Sequence, residues 1–287
     1  MHRAAWLCLC VPALLGGELK NDIEFVRRDG VALTMDAFVP AGPGQAAAAI
    51  WIHGGGFVSG DKKPHPASLF GPLQEKGWAW FSVNYRLAPE HAFPAQTDDV
   101  ESAVAYIKQH AREFKVDPRR LVLFGASAGG HLVSFVGAHH AKGNEVAAVV
   151  SFFGEHDLVD RVHPKGTCMM DGKVVENPGP LCLSPGLTKF LGITVDSPNA
   201  EEVVRKASPA TWVRKNMPAY LLIHGTKDFA VPYEQSERML EAMTKAGARC
   251  ELIRVEGGGH GYGAWDREPA MSGYRQRMFD WLARTIR

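Results

Sequence analysis

The stretch Leu121-Val122-Leu123-Phe124-Gly125-Ala126-Ser127-Ala128-Gly129-Gly130-His131-Leu132-Val133 passes from an apolar run, through small residues, into an amphipathic pattern. Four apolar residues suit a buried strand, and Leu132, Val133 and Val136 suit the inner face of a helix. Between them Gly125-x-Ser127-x-Gly129 sets a hydroxyl on the turn, where any bulk would clash with the neighbouring strand and helix. Such a pentapeptide alone is a weak signal; a strand–turn–helix crossing is the setting that a nucleophile requires. A plain Gly-rich turn with Ser127 as helix N-cap fits that setting less well.

Two further glycine-rich segments follow apolar runs. Residues 47–53 run into His53-Gly54-Gly55-Gly56-Phe57. Consecutive glycines let backbone N–H groups come close to a substrate oxygen, and with the N–H of Ala128 they would form an oxyanion hole. Each such donor contributes roughly 3–4 kcal/mol to a developing oxyanion. A phosphate loop is excluded, since neither its Lys–Ser/Thr ending nor G-x-G-x-x-G with a following acid is present. The second segment, Gly257-Gly258-Gly259-His260-Gly261, follows the run 250–255, while Asp228 comes just after the run 220–224. The order Ser127, Asp228, His260 is that of an α/β-hydrolase triad. His260 would take the Ser127 proton, and Asp228 would fix its tautomer. His224 and His156 compete as base and Asp157 as acid, but His224 reads as a wall residue and Asp157 precedes a long insert. His53, Phe57 and Tyr262 are the candidates for substrate contact.

The remaining pattern fits these motifs together. Residues 22–28 and 31–39 flank Asp29-Gly30, a hairpin turn signal. Residues 78–84 and 147–153 are further strand-like runs. Helical spacing is predicted over 97–114, 233–246 and 267–286, the second stopping at Gly247. Alternating strands and helices predict an α/β fold, a mostly parallel central sheet with helices on both faces. Ligands then bind at the carboxyl ends of the strands, where each motif falls. Residues 155–215 break the rhythm: roughly sixty residues exceed a usual connection, with a Pro/Gly-rich part at 177–186 and a helix expected near 200–206. They are read as a cap inserted into a single domain, 18–287.

The formal net charge is +1, with 46% hydrophobic residues, and basic residues cluster only in pairs such as Arg27-Arg28. A globular core is expected, and no nucleic-acid footprint is present. Residues 1–17 carry Arg3, an apolar run over 4–15 and then Gly16-Gly17, the pattern of a secretory leader too short to span a bilayer. Export without a stable membrane anchor is therefore expected. His139-His140, and His156, Asp157, His163 and Cys168, show neither H-E-x-x-H nor C-x-x-C spacing, so no metal set is predicted.

Residues 53–57, then Asn84-Tyr85-Arg86-Leu87-Ala88-Pro89-Glu90, then 125–130, resemble the hormone-sensitive-lipase-like esterases and their acetyl- and feruloyl-esterase relatives. The resemblance covers nearly all of the chain from residue 22. It implies the α/β-hydrolase fold, the Ser127–Asp228–His260 triad, oxyanion donors at Gly55, Gly56 and Ala128, and ester hydrolysis through an acyl-enzyme without metal or organic cofactor. It also implies that residues 85–90 position the oxyanion loop. The chain departs from that group in the length and polarity of residues 155–215. Asp160, Arg161, Lys165, Asp171 and Lys173 in that insert fit small or carbohydrate-linked esters better than triglycerides. A serine peptidase of the same fold, or a non-catalytic binding protein, is the alternative.

Cys168 and Cys182 flank a Gly/Pro-rich segment, and an exported protein would join them. Cys250 lies in a strand pattern and reads as a small buried hydrophobe. Thiol counting on the unfolded, unreduced protein is expected to find Cys168 and Cys182 unreactive; reaction of both excludes the bridge.

Overall fold

The computed structural model describes residues 16–161, 166–170, 173–177, 183–194 and 197–286. A hairpin of β1 (Gly17–Arg28) and β2 (Val31–Pro40) turns at Asp29 and Gly30, both at positive φ. It is followed by β3 (Ala46–Ile52), α1 (Ala67–Glu75), β4 (Ala79–Val83), α2 (Ala95–Gln109), β5 (Val116–Ala126), α3 (Ala128–Ala138) and β6 (Ala148–Phe152). A separate ribbon, β7 (Gly166–Met170) and β8 (Lys173–Asn177), precedes α4 (Pro185–Leu191) and α5 (Ala200–Ala207). The chain then returns to the sheet through β9 (Ala219–Gly225), α6 (Glu234–Lys245) and β10 (Cys250–Val255), and closes with α7 (Tyr262–Arg267), α8 (Pro269–Ser272) and α9 (Tyr274–Thr285).

The main sheet has eight strands in the order β1-β2-β4-β3-β5-β6-β9-β10. The hairpin joins antiparallel, β2 against β4, and the remaining pairs are parallel. This is the α/β-hydrolase arrangement that the sequence pattern predicts. Helices cover both faces, so β3 and the 121–126 part of β5 are buried, nearly continuous apolar runs instead of alternating with polar residues. Their side chains divide by strand periodicity. Ile50, Leu123, Val149 and Leu222 enter a core shared with α2, α3 and α6. Trp51, Phe124, Val150 and Leu221 enter a second core shared with α1 and α9.

Several boundaries differ from the sequence reading, each for a physical reason. β1 begins at Gly17, which pairs with Pro40, and the Gly16 carbonyl accepts from Ala41 N at 2.7 Å. The expected leader, 1–17, therefore runs one residue into the sheet. The single closing helix expected over 267–286 is broken into pieces. Pro269 has no N–H to continue a helix but suits a first turn, where α8 begins. α1 is not foreseen, because Pro72 inside it weakens the pattern. Residues 155–215 contain the ribbon, α4 and α5, and Leu187, Phe190, Leu191 and Val204 join the α2/α3 core. Of the expected Cys168–Cys182 bridge, Cys168 lies in β7 opposite Val175, and Cys182 falls outside the described residues. Cys250 is half-buried on β10, and burial pushes its thiol up to about 12. No helix among the described residues is long and apolar enough to cross a membrane.

Two buried ionic networks hold the loops at the carboxyl ends of β3 and β4. The Lys62 ammonium is only 4% exposed and lies 2.7 Å from both Asp22 and Asp36. His65 Nε2 reaches the other Asp36 oxygen at 2.9 Å. Burial opposes the Asp36 charge, but the bonds from Lys62, Asp22 N and His65 outweigh it and hold the carboxyl below its usual range. Lys62 N also donates to Asn84 Oδ1, and its carbonyl accepts from Ser82 Oγ, both at 2.6 Å. In the second network Arg86 Nε and Nη2 donate to Asp99 at 2.9 and 2.8 Å, and Arg86 N donates to Asp99 Oδ2 at 2.9 Å. Asp99 is fully buried on α2. Asp99→Asn leaves the guanidinium without its buried counter-charge, and a loss of about 3–5 kcal/mol is expected. The urea midpoint measures it: a lower midpoint with unchanged slope is the expected result.

Candidate active site

Ser127 stands where β5 turns into α3, at φ 56 and ψ −120. A non-glycine residue held in this region stores roughly 1–3 kcal/mol of strain, which the surroundings must offset. Here Ser127 N donates to the Phe152 carbonyl at 2.9 Å, and its own carbonyl accepts from His131 N at 3.0 Å. The flanking glycines allow close approach: a Cβ on Gly129 would strike the Ile52 carbonyl of β3, and one on Gly125 would strike Gly129 itself. The pentapeptide is thus dictated by contact between the turn and both neighbouring strands.

The chain leaves β3 through Gly55 (φ 119), Gly56 (φ 60) and Phe57 (φ 68). Val58 N and Ser59 N both donate to the Gly55 carbonyl at 3.1 Å, closing the loop on itself. Tyr85 holds it from behind: its hydroxyl donates to the His53 carbonyl at 3.1 Å, and its ring stacks on the His53 ring at 4.3 Å. Ala88 N donates to the Phe57 carbonyl at 2.9 Å. Gly55 and Gly56 border a cleft that contains Ser127, and Ala128 borders the cavity on its other side.

His260 brings the distant segments together. Its Nε2 lies 2.9 Å from Ser127 Oγ, and its Nδ1 lies 2.7 Å from Asp228 Oδ2. The other Asp228 oxygen accepts from Ala230 N and Val231 N, both at 2.9 Å. The Asp228 side chain is fully buried, and burial alone would raise its pKa. Hydrogen bonds from His224, His260 and Val231 N prevail and hold the carboxyl well below the usual carboxylate range. His224 Nε2 is 3.4 Å from Asp228 Oδ2, and His224 Nδ1 pairs with Ser236 Oγ at 2.8 Å. Asp157 is engaged elsewhere, accepting from Val159 N at 3.1 Å.

The sequence matches BD-FAE over residues 35–243. The chain belongs to the BD-FAE family. Among its relatives, esterase LipC of Mycobacterium tuberculosis is 30% identical over 233 residues, covering 76% of this chain and 53% of that protein. Probable carboxylic ester hydrolase LipM of the same organism is 28% identical over 236 residues, covering 78% and 48%. The chain spans about half the length of these curated relatives. A truncated form of a carbohydrate esterase from gut microbiota superposes with a TM-score of 0.75 at 26% identity, covering 93% of this chain and 96% of that one. Thermogutta terrifontis esterase 2, in its apo form, gives 0.69 at 25% identity, with 94% of each chain covered.

Around the serine, this BD-FAE chain opens two spaces. The cleft, about 560 Å³, is lined by Trp51, Phe153 and Tyr262 as well as the glycine loop. Tyr262 stacks on Phe153 at 6.3 Å and meets Trp51 edge-on at 6.0 Å. His53 lines the same cleft but is nearly buried; its Nδ1 pairs with the Gly54 carbonyl at 2.7 Å, and burial lowers its pKa. The opposite cavity, about 310 Å³, is lined by Ser127, His260, Glu155, Val58, Ser184 and Leu187, among others. Phe57 borders it, yet its ring is buried and stacks on Phe190 of α4 at 4.0 Å, packing the glycine loop against the insert. Sequence reasoning missed Glu155 and Phe229. Phe229 is 62% exposed beside His260, and the only hint was its position next to Asp228.

Three fully buried histidines, His131, His156 and His224, lie behind the site. Burial lowers the His131 pKa to about 4, and pushes that of His156 well down, with help from His224 and His131. Unfolded, a histidine titrates near 6.5. As pH falls from 6.5 towards 4, the unfolded chain takes up protons that folded His131 refuses, so stability is expected to fall across that window. His131 alone contributes on the order of 3 kcal/mol to this loss. Urea midpoints from pH 7 to pH 4 should show the slope, and His131→Asn should flatten it.

Proposed function

We propose that the chain is a serine carboxylesterase acting through an acyl-enzyme, with Ser127 as nucleophile, His260 as base and Asp228 as its partner. The observation that carries this reading is His260 hydrogen-bonded to Ser127 Oγ through one ring nitrogen and to buried Asp228 through the other. His260 Nε2 takes the hydroxyl proton as Oγ attacks the ester carbonyl. The negative charge on the carbonyl oxygen is held by N–H groups of Gly55, Gly56 and Ala128. Collapse breaks the bond to the alcohol oxygen, which receives the proton from His260. Water, deprotonated by His260, then releases the acid and restores Ser127. Asp228 stays ionised, fixing the tautomer and stabilising the imidazolium.

Both curated relatives reported above carry ester-hydrolase names. Thermogutta terrifontis esterase 2, 25% identical, is phosphonylated by cyclosarin, a reaction of an activated nucleophile. The substrates we propose are small or carbohydrate-linked esters, acetyl or feruloyl, with the alcohol in the cavity walled by Ser184–Leu187 of the insert. The neighbour described as a carbohydrate esterase supports that class. We also propose export directed by the N-terminal segment ahead of β1.

Hydrolysis of p-nitrophenyl esters from C2 to C12 tests the reading. Ser127→Ala is expected to lower kcat by about 10⁴–10⁶. A phosphonofluoridate, losing fluoride and the hydroxyl proton as HF on attack by Oγ, should leave its phosphonyl group on a Ser127 peptide and on no peptide of the variant. Retention of activity by Ser127→Ala removes Ser127 as nucleophile.

A further inference from the structure

The cavity beside Ser127 holds a charged group that the triad does not use. Glu155 is 7% exposed and borders this cavity together with Ser127 and His260. The segment that carries it is fixed on both sides. The Glu155 carbonyl accepts from His131 Nδ1 at 2.9 Å. Gln235 Oε1 accepts from His156 N at 2.9 Å and from Asp157 N at 2.8 Å. An apolar chain laid against a carboxylate returns no hydrogen bond for the water it removes, whereas a hydroxyl does. The carboxylate is acceptor-only, with about four acceptor positions, so it can receive a substrate hydroxyl alongside its protein partners. Across the cavity, Ser184 Oγ accepts from Leu187 N at 3.3 Å as the cap of α4, leaving its own O–H to donate. An acceptor and a donor bordering one space match a hydroxyl, which gives one hydrogen bond and takes another. An ammonium only gives.

We propose that Glu155, with Ser184, selects esters whose alcohol carries free hydroxyl groups, such as a partly acetylated glycoside. This assignment rests on the carboxylesterase reading above and names the group that the cavity recognises. Three acetates test it: methyl β-xyloside monoacetate, octyl acetate and p-nitrophenyl acetate. The measure is the quotient of kcat/KM for the glycoside over that for octyl acetate, in wild type, Glu155→Gln and Glu155→Leu. Wild type should favour the glycoside. Loss of one hydrogen bond to a charged group should lower the quotient about ten- to hundredfold in Glu155→Leu. Glu155→Gln, which keeps an acceptor oxygen, should fall less. An unchanged quotient in both variants overturns the proposal. So does an equal fall on all three acetates accompanied by a lower thermal midpoint, which would make Glu155 a structural residue. Wild type that cleaves none of the acetates, p-nitrophenyl acetate included, would defeat the esterase reading itself. A wild type active on p-nitrophenyl acetate with no glycoside preference would remove only the selection by Glu155.

Discussion

The site depends on one backbone constraint, the positive φ of Ser127 between β5 and α3. That conformation is costly for a side-chain-bearing residue, and it persists because hydrogen bonds from both sides over-determine it. The contact of Gly129 with the Ile52 carbonyl brings the start of α3 against the end of β3. The glycine loop leaves β3 immediately afterwards. Ser127 and the glycine loop are therefore placed relative to each other by the packing of these two strand ends, with Ile52 also paired to Gly125 and Gly54 lying against Ala126 and Ser127.

The second level of organisation is electrostatic. The two loops beside the serine are bound to the sheet by buried cations, Lys62 and Arg86, each paired with a buried and an exposed carboxylate. Lys62 is held between Asp22 and Asp36, and Arg86 is clamped by Asp99 and reaches Asp29 at 2.5 Å. Both tie the β1–β2 hairpin at the sheet edge to segments next to the glycine loop. An edge hairpin remote from Ser127 thus helps to hold the segments beside the glycine loop. Breaking such a pair costs more than forming it contributes, because the remaining charge is left buried. The Asp228 carboxyl follows the same rule: its side chain is buried but hydrogen-bonded to His260, Ala230 N and Val231 N, which holds it well below the usual carboxylate range.

The insert joins this scheme by aromatic packing. Phe190 on α4 stacks on Phe57 of the oxyanion loop, and both rings meet His131 of α3 edge-on. The segment that lines the 310 Å³ cavity is consequently fastened to residues beside Ser127.

Much of the fold is legible in the sequence because its signals are local. Apolar runs ending in glycine mark buried parallel strands, and the G-x-S-x-G pentapeptide reports a close backbone approach that only small residues permit. The chain order of Ser127, Asp228 and His260 is equally local information, since each follows its own strand. What local pattern misread are the breaks: Pro269 divides the closing helix, and the first strand starts at Gly17 through pairing with Pro40. Tertiary structure decided the rest. Which histidine meets Ser127, that Phe57 packs inward, and that Glu155 borders the cavity all follow from side chains far apart in sequence meeting at strand ends. Such encounters leave no periodicity in the chain, because the spacing between partners is set by intervening loops and not by the repeat of a helix or strand.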